Sequence, residues 1–343
     1  MRGDLGQSTG GCKAFGAGNS CVAPNWGEYF GNNDAGVATW AAPGTSCGMT
    51  KKPDILCIGS VLWDVIGHSA GEMAAGSDVP GRISRHPGGV ALNVAMALCG
   101  LGLRPALLSA LGDDAEGAEL AARLREMGLI GDDIHVAKSR PTDRYMAIES
   151  PDGLIAAIAD AHTLEAAGAA ILDPLRDGRL ASPDNPWTGM VALDGNLTAD
   201  LLAEIAGGAH LAAADLRIAP ASPGKAVRLR PFLSHPGVTL YVNLIEANLL
   251  SGAAHVATAD AARALVAGGA GRALVTDGAN AASIACPDRV ETRLPAKVRV
   301  ARVTGSGDAL MAAHIAAEFR GETGAAALQT ALDFTARHIA SVA

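Results

Sequence analysis

The sequence predicts an α/β fold in which a mostly parallel sheet is covered by helices. Three observations carry this expectation. From Asp54 onward, short β-branched or aliphatic runs alternate with longer runs rich in Ala and Leu. Asp64, Asp194, Asn196 and Asn243 each follow a strand-like run, and ligands of such sheets gather beyond the carboxyl ends of the strands. Hydrophobic residues make up 49% of the chain and aromatic ones only 3%, so the core should be built from small and aliphatic side chains.

In chain order, strands are expected over 55–60, 106–110, 190–194, 211–215, 238–242 and 273–276. Helices are expected over 90–99, 115–126, 198–205, 225–233 and 259–266. Residues 67–86 and 142–153 interrupt this rhythm with strand-like polar stretches and read as a lid. Residues 1–48 differ from the rest, being crowded with Gly, Ser, Asn and Pro and nearly free of charge. They read as a disordered leader or a mis-assigned start, with Met49 the alternative first residue and 49–343 the folded domain. The leader has no basic segment ahead of an apolar core, as a secretory signal would, and too few arginines for a transit peptide.

The formal net charge of -8, without a basic patch, argues against a nucleic acid polymer as partner. No uninterrupted apolar run is long enough to span a bilayer, so no membrane partner is expected and a cytoplasmic location is. Cys57 and Cys99 fall in apolar runs and are expected as free buried thiols. Cys12, Cys21 and Cys47 are spaced too irregularly for a metal site, and the histidines, His68, His86 and His162 among them, show no ligand spacing.

The most informative segment is Val303-Thr304-Gly305-Ser306-Gly307-Asp308, which runs into apolar Ala309-Leu310-Met311-Ala312-Ala313. Two glycines free the backbone to aim N–H groups at one point, and the start of the following helix adds its positive end. Such a cradle suits phosphate. Asp308 at its mouth could take a proton from an attacking hydroxyl while the cradle and a magnesium ion stabilise the moving phosphoryl group. The plainer reading is a glycine turn with Asp308 capping the helix.

Two further constellations stand beside it. In Pro87-Gly88-Gly89-Val90-Ala91-Leu92-Asn93 the glycines allow close approach to the main chain, and Asn93 is a polar side chain on an apolar helix that needs a partner. Asp64 belongs with this group, and the plainer reading of Asn93 is a side chain bonded to local backbone. The pair in Asn243-Leu244-Ile245-Glu246 shares one face of a first helical turn, where it reads as a helix-start cap or as an organiser of magnesium.

The 303–308 string resembles the Thr-Gly-(Ala/Ser)-Gly-Asp signature of the ribokinase-like, or PfkB-type, carbohydrate and nucleoside kinases, and the other motifs follow in that family's order over roughly residues 53–343. The resemblance implies a three-layer α/β/α fold with a mostly parallel central sheet. A small β-sheet lid, drawn from about 67–86 and 142–153, would cover the sugar and could pair with a second copy in a homodimer. It implies Asp308 as base, Gly305, Ser306 and Gly307 as anion hole, and Asp64, Gly88, Gly89 and Asn93 as sugar contacts. ATP would meet Asn243, Thr276, Gly278, Thr304, Gly305 and Gly307, with Glu246 touching magnesium through water. The family's second glycine after Thr276-Asp277-Gly278 is Ala281 here.

Within the family, Tyr145-Met146-Ala147-Ile148 with Gly153 and Ala157-Ile158-Ala159-Asp160, then Leu193-Asp194-Gly195-Asn196-Leu197, then Pro220-Ala221-Ser222-Pro223-Gly224-Lys225-Ala226 are most similar to the pseudouridine kinase branch. The Val303-Thr304 entry fits that branch too, and Arg302 stands where ribokinases carry an aspartate of a monovalent-cation loop, so potassium dependence does not carry over. The branch implies phosphorylation of the 5′-hydroxyl of pseudouridine, with Tyr145, Asn196 and Lys225 near the substrate and Asn196 the leading acceptor for the N1–H of the base. The plainer readings are an exposed strand for Tyr145, turn chemistry for Asp194 and Asn196, and a helix start with a solvated lysine for Ser222 to Lys225. Alternatives are another sugar or nucleoside kinase, such as a ribokinase, and a catalytically weak nucleoside-binding protein, since the chain ends soon after 334–343, earlier than the resemblance leads one to expect.

Overall fold

The computed structural model describes residues 52–74, 76–150, 153–235, 237–300 and 304–340. The leader with its three cysteines, Met49, Arg302 and Val303 lie outside them. Fourteen strands follow in chain order among the described residues: β1 (Ile55–Ile58), β2 (Leu62–Ser69), β3 (Gly81–Gly88), β4 (Pro105–Leu108), β5 (Ala110–Gly112), β6 (His135–Ala137), β7 (Arg144–Ser150), β8 (Gly153–Asp160), β9 (Met190–Asp194), β10 (Asp215–Ala219), β11 (Val238–Asn243), β12 (Arg272–Thr276), β13 (Ala282–Cys286) and β14 (Arg289–Arg293).

The central sheet has the order β14-β13-β12-β11-β10-β9-β1-β4. From β4 to β12 every pairing is parallel, and only the β12–β13 and β13–β14 pairings at one edge are antiparallel. Alternate residues along a strand face opposite sides, and they divide into two cores here. Leu56, Ile58, Val191, Leu193, Leu216 and Ile218 pack on one face with the helices Ala199–Gly207, Leu244–Ser251 and Thr258–Ala267. Ile55, Cys57, Leu107, Ala192 and Leu274 pack on the other, against Val90–Gly100, Ala115–Glu126, Ser306–Phe319 and Gly324–Ile339. The result is the three-layer α/β/α arrangement. No helix among the described residues is long and apolar enough to cross a membrane.

Two expected elements are corrected. Residues 211–215 do not form a strand; Ala209–Leu211 is a 3-10 turn, and the strand is β10, four residues later. Arg217 in the middle of β10 hides it, because a cation breaks the apolar run that marks a buried strand. The expected helix over 225–233 belongs to a 3-10 segment, Pro223–Ser234, which includes Pro231, a residue without an N–H to offer an α-helix. Cys57 is buried and Cys99 half-buried, and both are free thiols.

A second, four-stranded sheet has the order β3-β2-β7-β8. It starts earlier than residue 67 and runs on to Asp160, beyond the expected bounds of the two insertions. Register partners share a face. Asp64 pairs with Tyr145 and so faces one side, whereas Val65, Met146 and Ile158 are partners on the other. Arg85 on β3 and Arg144 on β7 bond Glu119 (2.6 Å) and Glu116 (2.9 Å), tying this sheet to the Ala115–Glu126 helix.

Arg217 is tolerated in the sheet because it is fully paired. Its guanidinium bonds Asp215 (2.5 Å) and Glu318, and Glu318 also accepts from Arg272 at 2.5 Å. Tyr241 joins the cluster, accepting from Arg217 at 3.2 Å and meeting His314 Nδ1 at 2.8 Å. Burial alone would raise the Glu318 carboxyl, but Arg217 and Arg272 outweigh it and hold it at about 2. Glu318 therefore contributes stability that is complete above its ordinary value of 4.5 and is lost as pH falls through about 2. Glu318→Ala should cost about 3 kcal/mol at pH 7, since buried Arg217 is left with one carboxylate, Asp215, and half-buried Arg272 loses its own. Urea unfolding at pH 7 and pH 3 checks this: the deficit should shrink at the lower pH, and an equal deficit at both would contradict it.

Candidate active site

Parallel strands end together, and here their carboxyl ends carry polar residues. Asp194 closes β9 opposite Ala219, and Asn243 closes β11 opposite Thr276. Above this edge the helix Ser306–Phe319 begins at Gly305, whose φ of 78° is left-handed and open to glycine at little cost. Asp308 stands in its first turn. The nine residues from Ala309 to Ala317 are all buried, which fixes the helix firmly under its exposed start. Gly307, by contrast, faces open space: a Cβ built there meets nothing within 4 Å. Thr304 is exposed at the same rim.

Asp308 is half-buried, and Asn93 Nδ2 donates to its Oδ2 at 2.9 Å. Asn93 thus has the partner that its apolar helix lacks. Removal from water is the main cause that raises the Asp308 carboxyl to about 7; the negative charges of Asp194 and Asp64 add to it, and the Asn93 bond opposes it. Asp64 is raised to about 6 by burial. The Tyr145 hydroxyl is raised by burial and by the charge of Asp64, its register partner on β2.

The adjacent glycines have separate steric reasons. A Cβ on Gly88 would overlap the Asp64 carboxylate, and one on Gly89, where φ is 99°, would lie 2.5 Å from the Ser60 carbonyl oxygen. Ser60 is not among the residues expected from sequence; the one signal for it is a small polar residue just after a buried strand. Its backbone N and its hydroxyl both donate to Asp194 Oδ2, at 2.8 and 2.5 Å. Asn196 continues the network: its Nδ2 donates to Ser60 Oγ and to Asp194 Oδ2, both at 3.1 Å, and its backbone N donates to Asp194 Oδ1 at 2.7 Å. Lys225 Nζ donates to Asn196 Oδ1, and burial lowers the pKa of its ammonium. Asp194, Asn196 and Lys225 are thus one connected wall, with turn chemistry and side-chain pairing combined.

At the carboxyl end of β11, Asn243 and Glu246 form a reciprocal cap. Asn243 Oδ1 accepts from Glu246 N and Glu246 Oε2 accepts from Asn243 N, both at 2.9 Å. Gly278 adopts a left-handed φ of 55° beside Thr276, and Asn280 closes the turn onto Asp277 at 2.9 Å. Ala281 accepts from Thr258 through its carbonyl at 3.0 Å. Among the described residues no group of three or more His, Cys, Asp or Glu could hold a metal ion. Glu246 is a buried carboxylate at the helix start, a donor whose chemistry suits the waters of a magnesium ion.

Gly88→Ala should displace the Asp64 carboxylate while leaving the Asn243–Glu246 cap in place. The Asp64 titration, followed by NMR, should then move from its raised midpoint of about 6. An unmoved midpoint would contradict the contact between Gly88 and Asp64.

The chain matches the model of the pfkB family carbohydrate kinases over residues 52–338. It is 29% identical over 278 residues to the pseudouridine kinase of Escherichia coli (strain K12), a match that spans 77% of this chain and 83% of that protein. Among solved structures it is similar to a carbohydrate kinase from Agrobacterium tumefaciens, with 27% identity, a TM-score of 0.67, and 82% and 89% of the two chains covered. The fold also matches Arabidopsis thaliana ribokinase complexed with ribose and ATP, with 18% identity, a TM-score of 0.68, and 83% and 92% covered. In its sheet, its glycine turn and the carboxylate one turn beyond it, the chain belongs to the PfkB family of carbohydrate kinases, sugar and nucleoside kinases that pass a phosphoryl group to an alcohol.

Proposed function

We propose that this kinase transfers the γ-phosphoryl group of ATP to the 5′-hydroxyl of pseudouridine, giving pseudouridine 5′-phosphate and ADP. The observation that carries the acceptor assignment is the half-buried polar pair Asn196 and Lys225, held in place by buried Ser60 and Asp194 and close enough to Asp308 for the Asp194 charge to be felt there. A nucleobase with several donors and acceptors suits such a wall better than a bare pentose does. The similarity to a pseudouridine kinase over 77% of this chain supports the same reading.

In this mechanism Asp64 accepts from the ribose diol beside Tyr145, and Gly88, Gly89 and Asn93 line the sugar. Asp308 takes the proton of the 5′-hydroxyl as the oxygen attacks the γ-phosphorus and the bond to ADP breaks. The backbone of Gly305, Ser306 and Gly307, with Thr304, stabilises the charge on the phosphoryl oxygens, while Thr276 and Gly278 border the nucleotide. Magnesium, when bound with ATP, neutralises phosphate charge, and Glu246, fixed by Asn243, would hold its waters. Asn196 Oδ1 accepts from Lys225 yet keeps a second lone pair for the N1–H that pseudouridine has and uridine lacks. A site built for that proton can reject the isomer strongly.

ADP release should be measured against pseudouridine, uridine, adenosine, ribose and fructose, for the wild type and Asp308→Asn. Pseudouridine should be preferred. Preference for ribose or fructose would favour a ribokinase-like activity, and nucleoside binding without ADP release a non-catalytic role. A base must be unprotonated to act, so kcat should rise with pH through about 7. Asp308→Asn should lower kcat at least about a hundredfold while raising Tm at pH 8. The sign of the stability change follows from the raised carboxyl: the stability tied to its protonated form is lost as pH rises through about 7, and an amide does not ionise. Near-normal turnover in the variant would remove Asp308 from the role.

The reading includes a homodimer formed through the outer face of the small sheet. Ile83, Met146 and Ile158 are 81%, 49% and 70% exposed there, on the side opposite Asp64. Apolar side chains clustered in this way call for cover, and a second copy offers the same face. Sedimentation should find a wild-type dimer and an Ile158→Glu monomer; a monomeric wild type would refute it.

A further inference from the structure

We propose that Ser60 is a positioning residue for phosphoryl transfer: from the end of β1 it caps the Val90–Gly100 helix from outside that helix's own segment, and so holds Asn93 against Asp308. This rests on Asp308 being the base. A helix leaves its first N–H groups without partners, and the residue before it normally supplies a side-chain acceptor. Here that residue is Gly89, which has no side chain to offer. Ser60 takes over the task twice: its Oγ accepts from Val90 N at 2.9 Å, and its carbonyl oxygen accepts from Leu92 N at 3.3 Å. The clash that any Cβ on Gly89 would make is with this same carbonyl. The missing cap and the close approach of Ser60 are therefore one arrangement.

Ser60 is held as tightly as it holds. It is 2% exposed, and its hydroxyl is saturated, giving its proton to Asp194 and accepting from Val90 N and Asn196 Nδ2. It is the point where the Asn196–Lys225 arm meets the helix arm. On the helix arm, Asn93 N is satisfied by the Gly89 carbonyl at 2.8 Å, and Asn93 Nδ2 reaches Asp308. The charged groups felt at Asp308 are Asp64 and Asp194, both of which oppose its ionisation, and Asn93 is the neighbour that favours it. The Val90–Gly100 helix contributes no charge of its own. A helix start that loses its external cap must shift to find another acceptor, and Asn93 rides on that first turn.

The test is a double-mutant cycle on kcat against pH at saturating acceptor, with wild type, Ser60→Ala, Asn93→Ala and the double variant, and Asp308→Asn alongside. Ser60→Ala and Asn93→Ala should each lower kcat about tenfold and move the midpoint of its pH dependence upward, with the KM for ATP unchanged. The double variant should be no worse than Asn93→Ala, because Ser60 acts through Asn93. Independent, multiplying losses, or an unmoved midpoint in Ser60→Ala, would overturn the proposal. Amide exchange in the wild type is a check that needs no variant: Val90 and Leu92 should be protected, and rapid exchange of either would also overturn it. Retained turnover in Asp308→Asn would be a different failure, that of the base assignment beneath it.

Discussion

Three carboxylates, those of Asp64, Asp194 and Asp308, meet at the carboxyl edge of one sheet, and the arrangement of the site follows from how their charge is handled. Asp194 is surrounded by donors from Ser60 and Asn196 and keeps its place as a scaffold. Asp308 is drawn out of water, and its affinity for a proton rises despite the one bond it receives, from Asn93. Asp64 is pressed against a glycine and a tyrosine, also out of water. Burial raises the proton affinity of Asp64 and Asp308, while Asp194 is engaged in scaffold hydrogen bonds, so identical groups are set apart by their surroundings.

The opposite edge of the sheet answers this with arginine. Arg217 and Arg272 converge on Glu318, near the far end of the same helix whose first turn carries Asp308. A glutamate near a helix carboxyl end is unfavourable for the helix dipole, and two guanidinium groups reverse the balance. At 1.5 Å per residue the helix is about 21 Å long. It carries a poorly stabilised carboxylate at one end and a strongly clamped one at the other. Rigidity at the clamp is what allows exposure at the start.

Much of this is legible in the sequence. The alternation of apolar runs shows the parallel sheet, because strands covered on both faces need unbroken apolar residues, and Asp308, Asn93 and the glycine pair are marked by polar or small residues where apolar ones would pack. What stays hidden depends on distant partners. Arg217 conceals β10, since nothing nearby in the chain announces Glu318, 101 residues on. Ser60 is one serine among many until Gly89 is seen to lack a cap. The orientation of the Asn196 amide depends on Lys225, 29 residues away and on a 3-10 segment that resembles an α-helix in spacing.

Gly307 carries one more implication. It lies inside a helix, has room for a methyl group, and adopts no backbone angle that alanine would resist. Helix propensity alone favours alanine over glycine, though less strongly in a first turn than in a helix interior. No neighbour among the described residues requires glycine there, so the case for a bare position rests on the ligand that the proposed function brings to this turn.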